Sequence, residues 1–232
     1  MVSKNLCIIP ARGGSKRIPR KNIKSFRGKP IIAYSIEAAL NSGLFEEVMI
    51  STDDKEIAQI GRKYGGKVPF LRSSKNADDF ATTVDVLIEV LQNYEALGIK
   101  FENICCIYPT APFITESKLT RAYEKLNKEN LHAVFPVVPF GYPIQRALKV
   151  QQEKLKFFFP EFEKCRSQDL EKAYHDAGQF YFIKTQHLLK NRSIFSSNTG
   201  SIYLNEMEAQ DIDTLTDWKL AEIKYELLQS TE

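Results

Sequence analysis

No apolar run in this chain approaches the length needed to span a bilayer, and its first residues carry no secretory-signal pattern, so a cytosolic protein without membrane association is expected. The four cysteines, Cys7, Cys105, Cys106 and Cys165, include no C-x-x-C spacing. That removes the common zinc and dithiol frameworks, and the three in apolar runs read as buried free thiols. No G-x-G-x-x-G is present, so a dinucleotide dehydrogenase has no support. Gly13-Gly14-Ser15-Lys16 is only a fragment of a P-loop, without the upstream glycine or the Lys-Ser/Thr pair. His175 beside Asp176 lacks any Ser or Cys in a nucleophile elbow, which argues against a hydrolytic triad. Finally, no Asp or Glu precedes Glu37.

That last absence has a counterpart. Residues 1–36 carry nine Lys and Arg, leaving 23 basic against 29 acidic residues in the remainder of a chain whose net charge is only +3. The excess is concentrated in Ile8-Ile9-Pro10-Ala11-Arg12-Gly13-Gly14-Ser15-Lys16-Arg17-Ile18-Pro19-Arg20-Lys21-Asn22. An apolar strand running into glycines and then cations makes a cradle for a polyphosphate, with backbone N–H groups and Arg12, Lys16 and Lys21 as donors. A nucleic-acid-binding module is the rival reading, but such a protein is more often basic throughout.

Strand-like and helix-like patterns alternate along the chain. Strands are expected at Asn5–Pro10, Glu47–Ser51, Lys67–Leu71, Asn103–Tyr108, His132–Val138, Gly178–Ile183 and Ser201–Leu204. Helices are expected at Pro30–Asn41, Lys55–Tyr64, Thr82–Leu97, Ser117–Lys128 and Asp213–Leu228, the last with Trp218, Leu220, Ile223 and Leu227 facing inward. The alternation implies one α/β domain over residues 1–232, with a mostly parallel central sheet covered by helices on both faces. Ligands of such sheets bind beyond the carboxyl ends of the strands. The basic loop, Ser51-Thr52-Asp53 and Tyr108-Pro109-Thr110-Ala111-Pro112 all fall there. Between about 139 and 177 the rhythm breaks into aromatics mixed with charge, which reads as an inserted arm with a hairpin in the 150s, suited to packing on a partner subunit.

Three further groups carry polar chemistry. Asp211 and Asp213, at i and i+2 on an extended segment, point the same way and suit Mg²⁺, although Asp213 as a cap of the last helix is the plain alternative. Tyr174-His175-Asp176-Ala177-Gly178-Gln179 offers hydrogen bonds to a polar substrate, with a histidine satisfied in a turn as its alternative. Arg72, just past a short strand, can meet a base edge or a carboxylate, or be solvated at the surface. His132 and His187 read as structural.

The loop from Ile8 to Lys16 with Pro19 and Lys21-Asn22 strongly resembles the signature of the CMP-sugar synthetases, the acylneuraminate cytidylyltransferase family. Ser51-Thr52-Asp53, Phe70-Leu71-Arg72, the Tyr108–Pro112 turn and Asp211-Ile212-Asp213-Thr214 follow in that family's order. The resemblance implies a Rossmann-like nucleotidyltransferase fold, Mg²⁺ dependence, a homodimer joined through the arm, and CTP and a nine-carbon nonulosonic acid as substrates. It implies that Ala11, Arg12, Gly13, Ser15, Lys16, Lys21, Asn22, Arg72 and Thr82 bind the nucleotide, and that Asp211 and Asp213 hold the metal. Arg12, Lys21, Asp211 and Asp213 are the residues expected to carry catalysis. On the sugar side it implies Tyr108, Gln145, Arg146, Arg166, Gln168, Asp169, His175, Asp176 and Gln179, with Arg166 at the sugar carboxylate. Stretches 143–148, 166–170 and 174–180 look like the pseudaminate-activating branch. Tyr108 stands where the sialic acid branch usually has Gln, which favours a deoxygenated, differently substituted acid over N-acetylneuraminate.

Overall fold

The computed structural model describes residues 4–78 and 80–230. In chain order the elements are β1 (Asn5–Pro10), β2 (Ser25–Phe26), β3 (Lys29–Pro30), α1 (Ile31–Asn41), β4 (Glu47–Ser51), α2 (Lys55–Lys63), α3 (Thr83–Ala96), β5 (Asn103–Ile107), α4 (Glu116–Lys128), β6 (Ala133–Pro139), β7 (Leu148–Gln151), β8 (Lys154–Phe157), β9 (Tyr174–Asp176), β10 (Phe180–Lys184), α5 (Thr185–Asn191), β11 (Thr199–Tyr203) and α6 (Leu215–Gln229). None of these helices is long and apolar enough to cross a membrane, among the described residues.

The central sheet runs β4-β1-β5-β10-β6-β11, with β9 added on β6. β1 pairs in parallel with β4 and β5, and β11 with β6; β10 runs antiparallel between β5 and β6. Leu6, Cys7, Ile8 and Ile9 have no exposure at all, because both faces of β1 are covered. This is why the strand reads as a continuous apolar run and not an alternation. Cys7 and Ile9 pack with residues of α1, α2 and α4 on one face. Leu6 and Ile8 pack with α3 and Leu188 of α5 on the other.

A third cluster lies outside the two sheet faces and joins distant parts of the chain: Ile18, Phe26, Ile31, Tyr34, Phe113, Ile212, Trp218 and Ala221. Its centre is Phe26, whose ring meets Tyr34, Trp218 and Tyr225 edge-on at 5.5–5.6 Å. α6 docks here, but not by the stripe expected. Trp218 and Ala221 are buried with Tyr225 and Leu228 beside them, whereas Leu220, Ile223 and Leu227 are about half exposed (45–52%). The aromatic residues facing Phe26 set the rotation of the helix and turn the branched aliphatics outward.

Two other expectations change. Lys67–Leu71 forms no strand, only an isolated parallel bridge from Lys67 to Met49, because Pro69 has no N–H to extend the ladder. The short helix α5 was not anticipated; at seven residues it is too brief to show a period. His132 and His187 do stack on each other, at 4.6 Å, near the start of β6. The 150s hairpin is β7–β8, closed by Gln152 and Glu153 with φ of 50° and 59°, the two positive values of a type I′ turn.

The inward face of α6 predicts an asymmetry in urea unfolding. Trp218→Ala should lower stability by about 3–5 kcal/mol, whereas Leu220→Ala and Ile223→Ala should each stay within about 1 kcal/mol of the parent. Equal losses at all three positions would contradict this helix orientation.

Candidate active site

The carboxyl ends of β1 and β5 open onto a cleft of about 450 Å³, walled by Arg12, Ser15, Lys16, Arg17, Lys21 and Asn22 on one side and Tyr108-Pro109-Thr110 on the other. The basic loop that forms the first wall is cross-tied. Ala11 N–H continues the pairing of β1 by donating to Ser51 O at 2.9 Å. The buried Asn22 side chain donates to Arg12 O at 2.9 Å. Gly13 N–H donates to Asp53 Oδ1 at 3.0 Å, so in this structure a carboxylate holds an N–H that the sequence reading gave to an anion. A Cβ on Gly13 would lie 2.9 Å from Asp54 Oδ2 and 3.1 Å from Asp54 Cβ; close approach to α2, rather than a special φ, explains that glycine.

The run of cations does not stand unopposed. Among the described residues, six of the nine meet carboxylates from elsewhere in the chain: Lys4–Glu46, Arg17–Asp213, Arg20–Asp54, Lys21–Asp213, Arg27–Glu226 and Lys29–Glu37. Lys24 lies over the Trp218 ring. The folded surface is therefore far less positive than the first 36 residues suggest, and the reading as a nucleic-acid module loses its footing. Arg12, inside the cleft, donates to Asp78 O at 2.6 Å.

Ile18, 1% exposed in the middle of the basic loop, and Ile212, 1% exposed between the two late aspartates, belong to the same apolar cluster. With Ile212 turned inward, Asp211 and Asp213 are both turned outward, as the i, i+2 spacing implied. Asp213 does not cap α6; Thr214 does, in a capping box with Asp217. The Asp213 carboxylate instead takes Arg17 Nη2 at 2.7 Å and sits 3.6 Å from Lys21 Nζ, which also donates to Ile212 O at 2.6 Å. Asp211 is exposed, and its carboxylate has no hydrogen bond or ion pair among the described residues.

Arg72 is 8% exposed, not solvated. It donates from Nε to Ser51 Oγ at 3.0 Å and from Nη2 to Ser51 O, and burial lowers its pKa. It thus lies at the end of β4, outside the residues lining the cleft. Thr82, also expected at the nucleotide, uses its hydroxyl to cap α3, accepting from Asp85 N–H and donating to Asp85 Oδ2 at 2.6 Å. Its neighbour Thr83 reaches the Tyr108 hydroxyl at 3.2 Å. Burial raises the Tyr108 pKa, keeping the phenol neutral.

On the expected sugar side, β9 and β10 are two halves of one antiparallel partner of β6, between which the register slips by three residues, from Val137↔Asp176 to Val134↔Phe182. The bulge contains Gly178 at φ 64°. It aims Asp176 at Gly178 N–H (2.8 Å) and at the Tyr181 hydroxyl, which donates to Oδ2 at 2.6 Å. Gln179, 2% exposed, donates to Glu208 O at 2.6 Å. His175 stays exposed, its Nδ1–H on Asp176 O, its ring 5.0 Å from Phe140. The arm residues do not reach the cleft within this chain: Gln145 donates to Glu171 O, and Arg166 forms a two-bond pair with Asp169 at 2.7 and 3.1 Å, with Gln168 exposed beside them.

Sequence reasoning singled out none of Arg20, Asp54 and Tyr181 as site residues. No local signal links Arg20 to Asp54; the tie exists only because β1 and β4 are neighbours. Arg20, with a left-handed φ of 55°, grips Asp54 at 2.5 and 3.1 Å and also meets Glu56, while Asp54 caps α2. The Arg20 hydrogen bond, above all, holds the Asp54 pKa down to about 2. A depressed carboxylate pKa stabilises the fold above the unfolded value and loses that effect as pH falls through the folded one. Asp54→Asn should therefore reduce stability by about 2 kcal/mol at pH 7. The difference from the parent should shrink to about half by pH 3 in urea titrations. A gap independent of pH would contradict the pairing.

The cytidylyltransferase family model matches residues 6–229. A pseudaminic acid cytidylyltransferase of Campylobacter jejuni subsp. jejuni serotype O:2 is 46% identical over 228 residues, 97% of each chain. A CMP-N,N'-diacetyllegionaminic acid synthase of Legionella pneumophila is 35% identical over 233 residues, again 97% of each. Among solved structures, CMP:2-keto-3-deoxy-manno-octonic acid synthetase complexed with CTP shares the fold with a TM-score of 0.71 at 18% identity, covering 98% of this chain and 100% of that one. The match runs through every wall of the cleft, from β1 to α6, and the chain belongs to the cytidylyltransferase family.

Proposed function

We propose that this chain transfers the cytidylyl group of CTP to pseudaminic acid, giving CMP-pseudaminate and pyrophosphate for glycan or flagellin modification. The observation that carries the choice of acid is the 46% identity, end to end, with pseudaminic acid cytidylyltransferases. The cleft supplies the rest of the argument: a cation-lined loop at the strand ends, facing a phenol-bearing turn.

In this reading the anomeric hydroxyl of the acid attacks the α-phosphorus of CTP in line, its new O–P bond forming as the bond to pyrophosphate breaks. Phosphoryl chemistry of this kind leaves the protein to position and to neutralise. Arg12, Ser15 and Lys16 hold the departing pyrophosphate, with Ala11 and Gly13 supplying loop backbone. Lys21 faces the α-phosphate, leaving Asp213 to do so. Asn22 stands on the side of the cytidine, with Arg72 held on Ser51 outside the cleft lining. Asp211 and Asp213 fit Mg²⁺ as a donor set: two carboxylates turned one way, Asp211 exposed, with phosphate oxygens and water completing a hard-oxygen shell. A bound ion supplies charge neutralisation at the polyphosphate.

The arm is read as the dimer contact of a homodimer. Its hairpin exposes Val150 (73%) and Leu155 (67%), and Arg166 and Gln168 do not line the cleft of their own chain. The test of function is pyrophosphate release from CTP with a panel of pseudaminate, legionaminate and N-acetylneuraminate. Turnover should be fastest with pseudaminate; preference for another acid would overturn the assignment. Arg12→Ala and Asp211→Ala should each lower turnover by about 10²–10³-fold while remaining folded. Near-parental rates in either variant would remove that residue's role.

A further inference from the structure

Lys118 is a lysine in an expensive place. It stands in the first turn of α4, behind the cap Thr115, with a side chain 8% exposed. Burial disfavours its charge and lowers its pKa, and the positive end of a helix repels a cation. Both penalties are offset by two partners: Nζ donates to Phe113 O at 2.9 Å and to Glu208 Oε1 at 3.0 Å. A well-packed apolar side chain would fill the same space without either penalty. The lysine therefore provides something other than net stability.

Its partners say what. Phe113 continues the turn after β5 that walls the cleft. Glu208 lies three residues before Asp211 and is itself fixed: its carboxylate closes a capping box with Asn205 N–H, and its carbonyl accepts from Gln179. Burial would raise the Glu208 pKa, but the Asn205 N–H bond and Lys118 outweigh it and hold the carboxyl charged. One ammonium thus ties the Tyr108–Pro112 turn to the segment that ends in Asp211 and Asp213.

We propose that Lys118, acting through Glu208, is a positioning residue that sets the late aspartate pair against the turn across the cleft. The inference rests on the assignment of Asp211 and Asp213 made above. Lys118 is not among the residues that line the cleft.

The test uses the full chain with Lys118→Met combined with Glu208→Gln, so that no charge is left buried and unpaired while the Asn205 cap keeps an acceptor. Glu208→Gln alone, which still accepts from Lys118, is the rescue control. The double variant should unfold at the parental urea midpoint or above it. Its KM for CTP should stay within about twofold and its kcat fall by about tenfold or more, the split expected of lost alignment. Mn²⁺ binding in the presence of CTP, read by electron paramagnetic resonance, should weaken by a similar factor. Glu208→Gln alone, which keeps an acceptor for Lys118 but not its countercharge, should lower the urea midpoint while kcat and Mn²⁺ affinity of the folded protein stay within about threefold of the parent. Parental kcat and Mn²⁺ affinity in the double variant, or a loss of activity that only tracks unfolding, would overturn the proposal. Failure of the underlying assignment would look different, because the parent and Asp211→Ala would then bind Mn²⁺ alike.

Discussion

Ile18 and Ile212 are buried in one apolar cluster, 194 positions apart in numbering, and the site depends on that shared burial. Each is a single apolar residue inside a charged, irregular segment. Without them the basic loop and the aspartate segment would have only solvent-screened charge to bring them together, and such pairs contribute little. Anchored by Phe26, Trp218 and Tyr34, both segments present their charged residues outward from fixed points. The ion pairs Arg17–Asp213 and Lys21–Asp213 then follow from geometry that burial has already set.

The same arrangement explains how a dense cationic loop is accommodated in the fold. Carboxylates from later elements stand in: Asp54 and Glu56 for Arg20, Asp213 for Arg17 and Lys21, Asp53 for the Gly13 N–H. Arg20 and Asp54 make a permanent brace. Lys21, on the wall of the cleft, and Asp213 are the pair that, in the function proposed above, a polyphosphate and a divalent ion would separate, each taking one partner. A loop of this kind is held in shape before ligand arrives, which lowers the ordering cost of binding.

Much of this was legible in the sequence because it is local. β1 and β4 begin and end where the apolar runs do, and Thr82 stands at the start of its helix, as expected. The paired aspartates kept their common direction because alternation needs only neighbours. What was not legible came from contacts between distant segments. The rotation of α6 is set by Phe26, so Leu220, Ile223 and Leu227 face out although their spacing is helical. The fate of the cations depended on acids from Glu37 to Glu226 that no window around the loop contains. Arg72 reads as surface until Ser51 and the end of β4 enclose it. Lys118 gives no sign in sequence of being buried, since its partners, Phe113 O and Glu208, are fixed only by the fold.

The claim at the centre, that one apolar cluster joins the basic loop to the aspartate segment, is tested most directly by a double-mutant cycle. Ile18→Ala, Ile212→Ala and the pair together would be compared in urea unfolding. Shared burial predicts that the two losses are non-additive by at least about 0.5 kcal/mol, each single change costing about 2–4 kcal/mol. Strict additivity would show that the two segments are held independently, and would contradict the account.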